Sequence, residues 1–374
     1  MPAGVEVLLA MNMREDAGQD FWRGRRVFLT GHTGFKGAWM SLWLTRLGAE
    51  VTGYALAPAE SPNLWDLFKG AISTTANMSS HMGDIGDVER LSAAVTRSDP
   101  QVVFHMAAQA LVRESYRHPL TTYATNVLGT GAVLQACRAL RHLQSIIVVT
   151  SDKVYENNGE GRPFTEHDRL GGHDPYSNSK ACAELLTMSF RDSFFAQGPP
   201  IATVRAGNVI GGGDWSQDRL IPDCVRALGT GEAVQLRYPD AVRPWQHVLE
   251  PLGGYLRLAV ALATDPKNMP RAVNFGPDPA SFCSVRQVVE AFGTRFGGKP
   301  GWRHDPRPHE PEARALTLSS TLAANALAWR PALNLRETLA WTADWYSAHA
   351  KGENMTAFSE AQITRYAKLA GAPL

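Results

Sequence analysis

Arg25-Arg26-Val27-Phe28-Leu29-Thr30-Gly31-His32-Thr33-Gly34-Phe35-Lys36-Gly37 decides the fold of this 374-residue chain. The run up to Thr30 is short and apolar, as a buried strand is. It passes without a linker into a G-x-x-G-x-x-G turn. The apolar run Ala38 to Leu47 then predicts a helix closed by Gly48. Strand, glycine turn and helix together are the context that a phosphate-cradling loop requires. Gly31, Gly34 and Gly37 permit a tight turn, close approach of a pyrophosphate and tight packing of helix on strand. Thr33 and Phe35 join them as candidate contacts to a dinucleotide. An ordinary β–α turn is the alternative; the loop's place at the first strand favours the cradle.

Outward from the loop, strands and helices alternate. Val51 to Leu56, Gln101 to His105, Ile146 to Val149 and Ile201 to Arg205 each read as a buried strand. This alternation predicts a doubly wound parallel α/β sheet, of Rossmann type, with helices on both faces. A long amphipathic segment is expected from Tyr116 through Leu140. A helix over 247–264 and a strand over 272–275 are expected to return to this first lobe. The second strand carries no Asp or Glu for an adenosine ribose, so its pattern leaves NAD and NADP both open. Asp84 and Ile85, in the turn Gly83-Asp84-Ile85-Gly86-Asp87, are candidates for the adenine end, with a helix cap as the alternative for Asp84. Ala107, Ala108 and Gln109 follow the Gln101–His105 strand, where small residues would let a cofactor lie against the backbone.

The chemistry gathers after the strand at Ile146. Ser151, Asp152 and Lys153 stand where it ends, the edge at which open α/β sheets place their ligands. Asp174-Pro175 reads as N-cap and first residue of a helix. Tyr176 and Lys180 then lie four apart on one face of it. A phenol, with an ordinary pKa of about 10, is a poor base at neutral pH. A neighbouring cation would lower that value and make it a usable acid/base. By itself a Y-x-x-x-K spacing is better read as an exposed Tyr and an exposed Lys on one helix face; the rest of the chain shifts that balance.

From Gly211 the texture changes to a loop, a helix opening at Asp218-Arg219-Leu220, and a Pro-punctuated stretch with Arg243 and His247. Ser284 and Asn334 each begin a capping box or a near variant. The helix after Asn334 is rich in Trp at core spacing. Arg303 to Glu310 is irregular and charged, either reaching a diphosphate or solvated. The boundaries expected are an extension over 1–20, a cofactor domain over 21–210 with its return near 245–275, and a smaller mixed α/β substrate domain over 211–244 and 276–374.

Hydrophobic residues make up 44% of the chain and charged ones 20%, ample for a core. A net charge of +1 gives no electrostatic case for nucleic acid or an anionic membrane surface. The first residues lack a basic segment before their apolar run, unlike a signal peptide. No run of apolar residues is long enough to span a bilayer. Cys137, Cys182, Cys224 and Cys283 stand far apart without metal-ligand spacing, so no metal is expected and they read as reduced thiols of a cytoplasmic protein.

Taken together, these blocks resemble the extended short-chain dehydrogenase/reductase family. Ser151-Asp152-Lys153 before Tyr176 and Lys180 resembles its nucleotide-sugar 4,6-dehydratases, most of which carry Thr-Asp-Glu there. The Lys at 153 resembles the CDP-glucose 4,6-dehydratases in particular, as do G-H-T-G-F-K-G, R-A-G-N-V-I-G-G-G-D-W and R-P-W-Q-H-V. The resemblance implies NAD, a nucleotide-sugar substrate, a homo-oligomer (dimer or tetramer) and a role in deoxysugar synthesis. It implies that Tyr176 takes the C4 hydroxyl proton, that Lys180 holds Tyr176 anionic and bonds the nicotinamide ribose, and that Ser151 bonds the C4 oxygen. It makes Asp152 the acid that protonates the departing C6 hydroxyl, in a dry setting that raises its pKa. Lys153 would then be the C5 base, which requires burial or adjacent positive charge to keep it neutral. Asn208, Arg219, Arg243 and His247 are the candidates on the substrate side, the arginines for the diphosphate. A nucleotide-sugar 4-epimerase, needing only Ser151, Tyr176 and Lys180, is the nearest rival.

Overall fold

The structure is a computed structural model that describes residues 20–74, 77–159, 161–297, 301–310 and 315–374. The expected extension falls outside these residues as far as residue 19. The first six strands are β1 (Arg26–Thr30), β2 (Glu50–Ala55), β3 (Met78–Met82), β4 (Val102–His105), β5 (Ser145–Val149) and β6 (Ile201–Ala206). With the returning strand Ala272–Phe275 they form one seven-stranded sheet. Its order is Ala272–Phe275, β6, β5, β4, β1, β2, β3, and every pair is parallel.

Side chains alternate between two cores, as a period of two requires. Val27, Leu29, Phe104 and Ile147 face one core; Phe28, Val103, Ile146 and Val148 face the other. Both faces are therefore covered, which is why these strands read as continuous apolar runs. Strand order reverses between β1 and β4, which opens a crevice at their carboxyl ends. The glycine loop, Met106 to Gln109 and Ser151 to Lys153 all emerge there.

The segment expected as one amphipathic run from Tyr116 to Leu140 is broken. It forms helices Val112–Arg117 and Pro119–Tyr123, a π-helical turn Ala124–Leu128 and a helix Gly129–Cys137. His118 leaves helical geometry (φ −131°, ψ 65°), and Pro119 restarts the helix at its first position. The wider π turn brings Asn126 to the crevice, where it accepts from Gln109 N at 2.9 Å and donates to Ser179 Oγ at 2.9 Å.

The second lobe is built from small pieces. Val209–Ile210 pairs with Gln246–His247, Val234–Leu236 with Trp302–His304, and Val242–Pro244 with Phe282–Ser284. Both expected capping boxes form, Ser284 with Gln287 and Asn334 with Glu337. Trp329, Trp341 and Trp345 are buried in the core. The last helix, Met355–Ala370, packs against the helix Phe35–Arg46: the Tyr366 and Trp43 rings meet edge to face at 5.8 Å, and Trp43 Nε1 donates to Pro373 O at 3.0 Å.

Candidate active site

The glycine loop is held tight by contacts that only glycine permits. Gly31 adopts φ +78°, and a Cβ there would lie 2.7 Å from Ala107 N. A Cβ on Gly37 would lie 2.0 Å from Gly31 O. Gly34 differs: a Cβ there would meet only Gly31 O at 3.4 Å, so its outer face is open. Gly34 is the N-cap of the helix Phe35–Arg46, which has no side-chain cap and no acid in its first turn. An uncapped helix N-terminus beneath an open glycine suits a pyrophosphate, so these residues fit a dinucleotide. Thr33 turns aside, its Oγ1 donating to Leu56 O at 2.8 Å, beyond the carboxyl end of β2.

Asp84 is exposed and closes its own turn, accepting from Gly86 N at 2.8 Å, while Ile85 is buried in the core. Ala108 lines the cleft beside Met106. Thr30 Oγ1 accepts from both Met106 N and Ala107 N, which docks this loop on β1. The Gln109 side chain folds back onto Leu111 and Thr122, a brace for the loop.

Ser151, Asp152, Lys153, Tyr176 and Lys180 line one cleft of about 510 Å³ between the lobes. Asp174 caps the candidate catalytic helix Pro175–Phe194 by accepting from Ser177 N at 2.9 Å, with Pro175 in the first turn. Tyr176, Lys180 and Glu184 follow at four-residue steps on its buried face. Glu184 takes a buried ion pair from Arg205 (2.8 Å) and hydrogen bonds from Thr150 and Thr203 (2.6 Å each). Arg205 continues to Tyr155 OH, which donates to Asn274. This network pins the catalytic helix to β5, β6 and the loop after Ser151.

Asp152 is buried where it lines the cleft. It is 3% exposed, Ser151 Oγ donates to its Oδ1 at 3.0 Å, and its Oδ2 has no partner among the described residues. Burial pushes its carboxyl up, against Lys153, Ser151 and Arg243. Lys153 is half-buried, its backbone N–H donating to Ser151 Oγ at 3.2 Å. Lys180 Nζ donates to Val149 O at 3.2 Å, and burial lowers it to about 8.

The expected lowering of Tyr176 is not what the protein alone produces. Burial pushes the phenol up to about 12, outweighing the Ser151 hydroxyl and Arg219, which pull it down.

The substrate candidates divide. Asn208, Arg219 and Arg243 line the cleft. Arg219 is already paired with Asp214 at 3.0 Å, and Arg243 donates to Val242 O at 2.9 Å. His247 is corrected: it lies in the core between Trp39 and Trp341 (ring centroids 6.3 and 5.7 Å), fully buried, and burial lowers it to about 3. As the last residue of a strand buried under two tryptophans, it cannot turn to the cleft.

Residues the sequence reading left unassigned also line the cleft. Arg113 and Arg237 converge on Asp218 at 2.6 and 3.3 Å. Asp305 is buried and paired with Arg307, from the charged stretch whose role the sequence left open. Lys36 also lines the cleft, and its signal was present: it is the only charge in its helix before Arg46.

A family model described as "GDP-mannose 4,6 dehydratase" matches residues 28–342. The chain belongs to this family. It is 44% identical to a CDP-glucose 4,6-dehydratase of Salmonella typhimurium over 93% of its own length and 98% of that protein. It is 30% identical to a dTDP-glucose 4,6-dehydratase of Streptomyces antibioticus over 71% and 75% of the two chains. A dTDP-glucose 4,6-dehydratase of Bacillus anthracis, solved in complex with NAD, superposes with a TM-score of 0.73 at 22% identity, covering 89% of this chain and 99% of that one. That likeness shows that this dehydratase-family chain has the same fold.

Proposed function

We propose that this dehydratase converts CDP-glucose to CDP-4-keto-6-deoxyglucose with NAD as cofactor. The observation that carries this reading is the buried Asp152 carboxyl, its pKa raised by desolvation, standing beside Lys153 and Ser151 on the cleft. The match over the whole length of the Salmonella CDP-glucose 4,6-dehydratase supports the nucleotide. Gly31, Gly34, Phe35 and Gly37 would hold the pyrophosphate, with Ala107, Ala108, Tyr176 and Lys180 toward the nicotinamide. Residues 21–210 with the return near 245–275 would form the cofactor domain, and 211–244 with much of 276–374 the substrate lobe.

Held there, NAD would supply the hydride acceptor for C4 and the donor for C6, and its positive ring would add charge that favours a phenolate at Tyr176. Tyr176 takes the C4 hydroxyl proton, while Ser151 holds the same oxygen. The C4 ketone acidifies C5, because the carbanion becomes an enolate. Lys153 removes the C5 proton as Asp152 gives its own to the C6 hydroxyl, and water departs. Lys153 then returns a proton to C5. Over the cycle the proton taken from O4 replaces the one that Asp152 gives up. A 4-epimerase has no use for an acid at Asp152, which disfavours that rival.

Purified protein with NAD should remove one water from CDP-glucose, read as product mass against dTDP-, UDP- and GDP-hexoses. Unchanged mass, or a preference for dTDP-glucose, overturns the reading. By calorimetry NAD should bind more tightly than NADP, since no Arg stands after β2 to meet a 2′-phosphate.

Free thiols at all four cysteines support a reducing compartment, the cytoplasm. No helix among the described residues is long and apolar enough to cross a membrane. A homo-oligomer, dimer or tetramer, is supported by Leu120, Leu128, Leu185 and Met188, exposed on helical segments that pack against one another.

A further inference from the structure

Arg113 and Arg237 reach one carboxylate oxygen from the two lobes. Arg113 stands on the helix Val112–Arg117 of the first lobe, and Arg237 follows the strand Val234–Leu236 of the second. Their Nη1 atoms lie 2.6 and 3.3 Å from Asp218 Oδ1, and all three residues line the cleft. Asp218 belongs to the loop that leads into the helix Leu220–Thr230. It holds φ +61°, a left-handed geometry that Asp and Asn tolerate better than most residues. Two other acids of the cleft are placed differently: Asp214, paired with Arg219, and Asp305, paired with Arg307, are buried. The Asp218 side chain stays 31% exposed, and those of Arg113 and Arg237 stay 36% and 25% exposed.

An ion pair open to water is worth little, so Asp218 can give way at small cost. Two cations against one carboxylate also leave the group positive, held in place without being cancelled. A phosphate oxyanion at the same point would meet both guanidinium groups, with more charge and more acceptor oxygens than a carboxylate offers. A nucleotide sugar brings such oxyanions in its diphosphate. Resting on the function proposed above, we propose that Asp218 is a place-holder for the substrate's diphosphate: it keeps Arg113 and Arg237 converged before substrate arrives, and the diphosphate displaces it from both. Asp218 is then a positioning residue that acts through the two arginines. It lowers the affinity for nucleotide-sugar substrate and product alike, and Arg113 carries a substrate contact on the first lobe. No covalent bond is made or broken in the exchange.

The test is calorimetry of CDP and dTDP binding to the protein saturated with NAD. Asn tolerates the left-handed backbone at 218 while removing the charge. In Asp218→Asn the nucleotide should therefore bind about fivefold more tightly than in the parent. Loss of a merely structural carboxylate would weaken binding instead. Arg113→Met and Arg237→Met should each weaken binding at least about tenfold. With both arginines replaced, Asp218→Asn should bring no gain. NAD affinity should stay at the parent's value throughout. Asp218→Gly, which also accepts a left-handed backbone, serves if Asp218→Asn fails to fold. The gain is read as a ratio to the parent on whichever nucleotide binds, so a preference for dTDP overturns the CDP reading without touching the place-holder. Unchanged or weaker binding in the folded Asp218 variant overturns the place-holder and leaves the CDP reading standing. So does a gain that survives the loss of both arginines.

Discussion

At the scale of single residues, the proposed mechanism splits between Tyr176 and the pair Asp152 and Lys153. Tyr176→Phe removes the base for the C4 hydroxyl, so no absorbance of reduced nicotinamide should appear on rapid mixing with CDP-glucose. Asp152→Asn and Lys153→Ala leave that step intact. Both should build up reduced nicotinamide and lose about 10²–10⁴ in overall rate. They should differ in deuterium uptake at C5 from heavy water, retained in Asp152→Asn and lost in Lys153→Ala. Uptake at the parent rate in Lys153→Ala would transfer the base role elsewhere. The positions of these three residues were legible in the sequence, because a strand end and a capped helix start are local patterns. Their charge states were not. Tyr176 rises to about 12 and Asp152 rises because of desolvation, which depends on what the other lobe places over them.

At the scale of elements, the catalytic helix keeps its register through Glu184. Its carboxylate receives Arg205 from β6 and the hydroxyls of Thr150 and Thr203, with the paired side chains only 1% and 3% exposed. Arg205→Met strands a buried carboxylate and should cost about 3–5 kcal/mol in urea unfolding. Activity should fall with it, because the same pair fixes Tyr176 and Lys180. If Arg205→Met unfolds at the parent's urea concentration, the network is not what holds the helix. No local pattern announces this network, since the partners of Glu184 lie 19 to 34 residues from it along the chain. The broken run from Val112 to Cys137 has the same origin. Pro119 was visible, but the π turn is selected by Asn126 reaching Gln109 and Ser179.

At the scale of the molecule, Glu250 links the lobes. It accepts from Ala332 N and Leu333 N and from Tyr366 OH, and burial pushes it from 4.5 up to about 7. Between those values the native protein holds a proton that the unfolded chain has released. Stability from this group therefore falls as pH rises through that window and is level above it. Glu250→Gln should remove this contribution, so its stability relative to the parent should increase from about pH 4.5 to about 7 in urea titrations. An offset independent of pH would show that Glu250 ionises normally. The oligomer is tested on the same scale. Leu120→Asp with Leu185→Asp should convert the assembly to monomer in sedimentation while leaving the unfolding transition near the parent's. A parent that already sediments as a monomer sinks that proposal.

Period-two burial, the glycine turn and the capped helix starts are properties of neighbouring residues, so the chain alone determined the parallel sheet, the crevice and the residues at its rim. Even Ser284 and Asn334, far from the site, capped the helices their sequence announced. Contacts distant in sequence decided the rest. His247, expected on the substrate side, became a core side chain, and Lys36, left without a role, lines the cleft. Two tryptophans from separate helices close over His247, and Tyr255 from a helix some two hundred residues on receives Lys36. Burial and charge are set by what lies across space, and only the packed molecule fixes that.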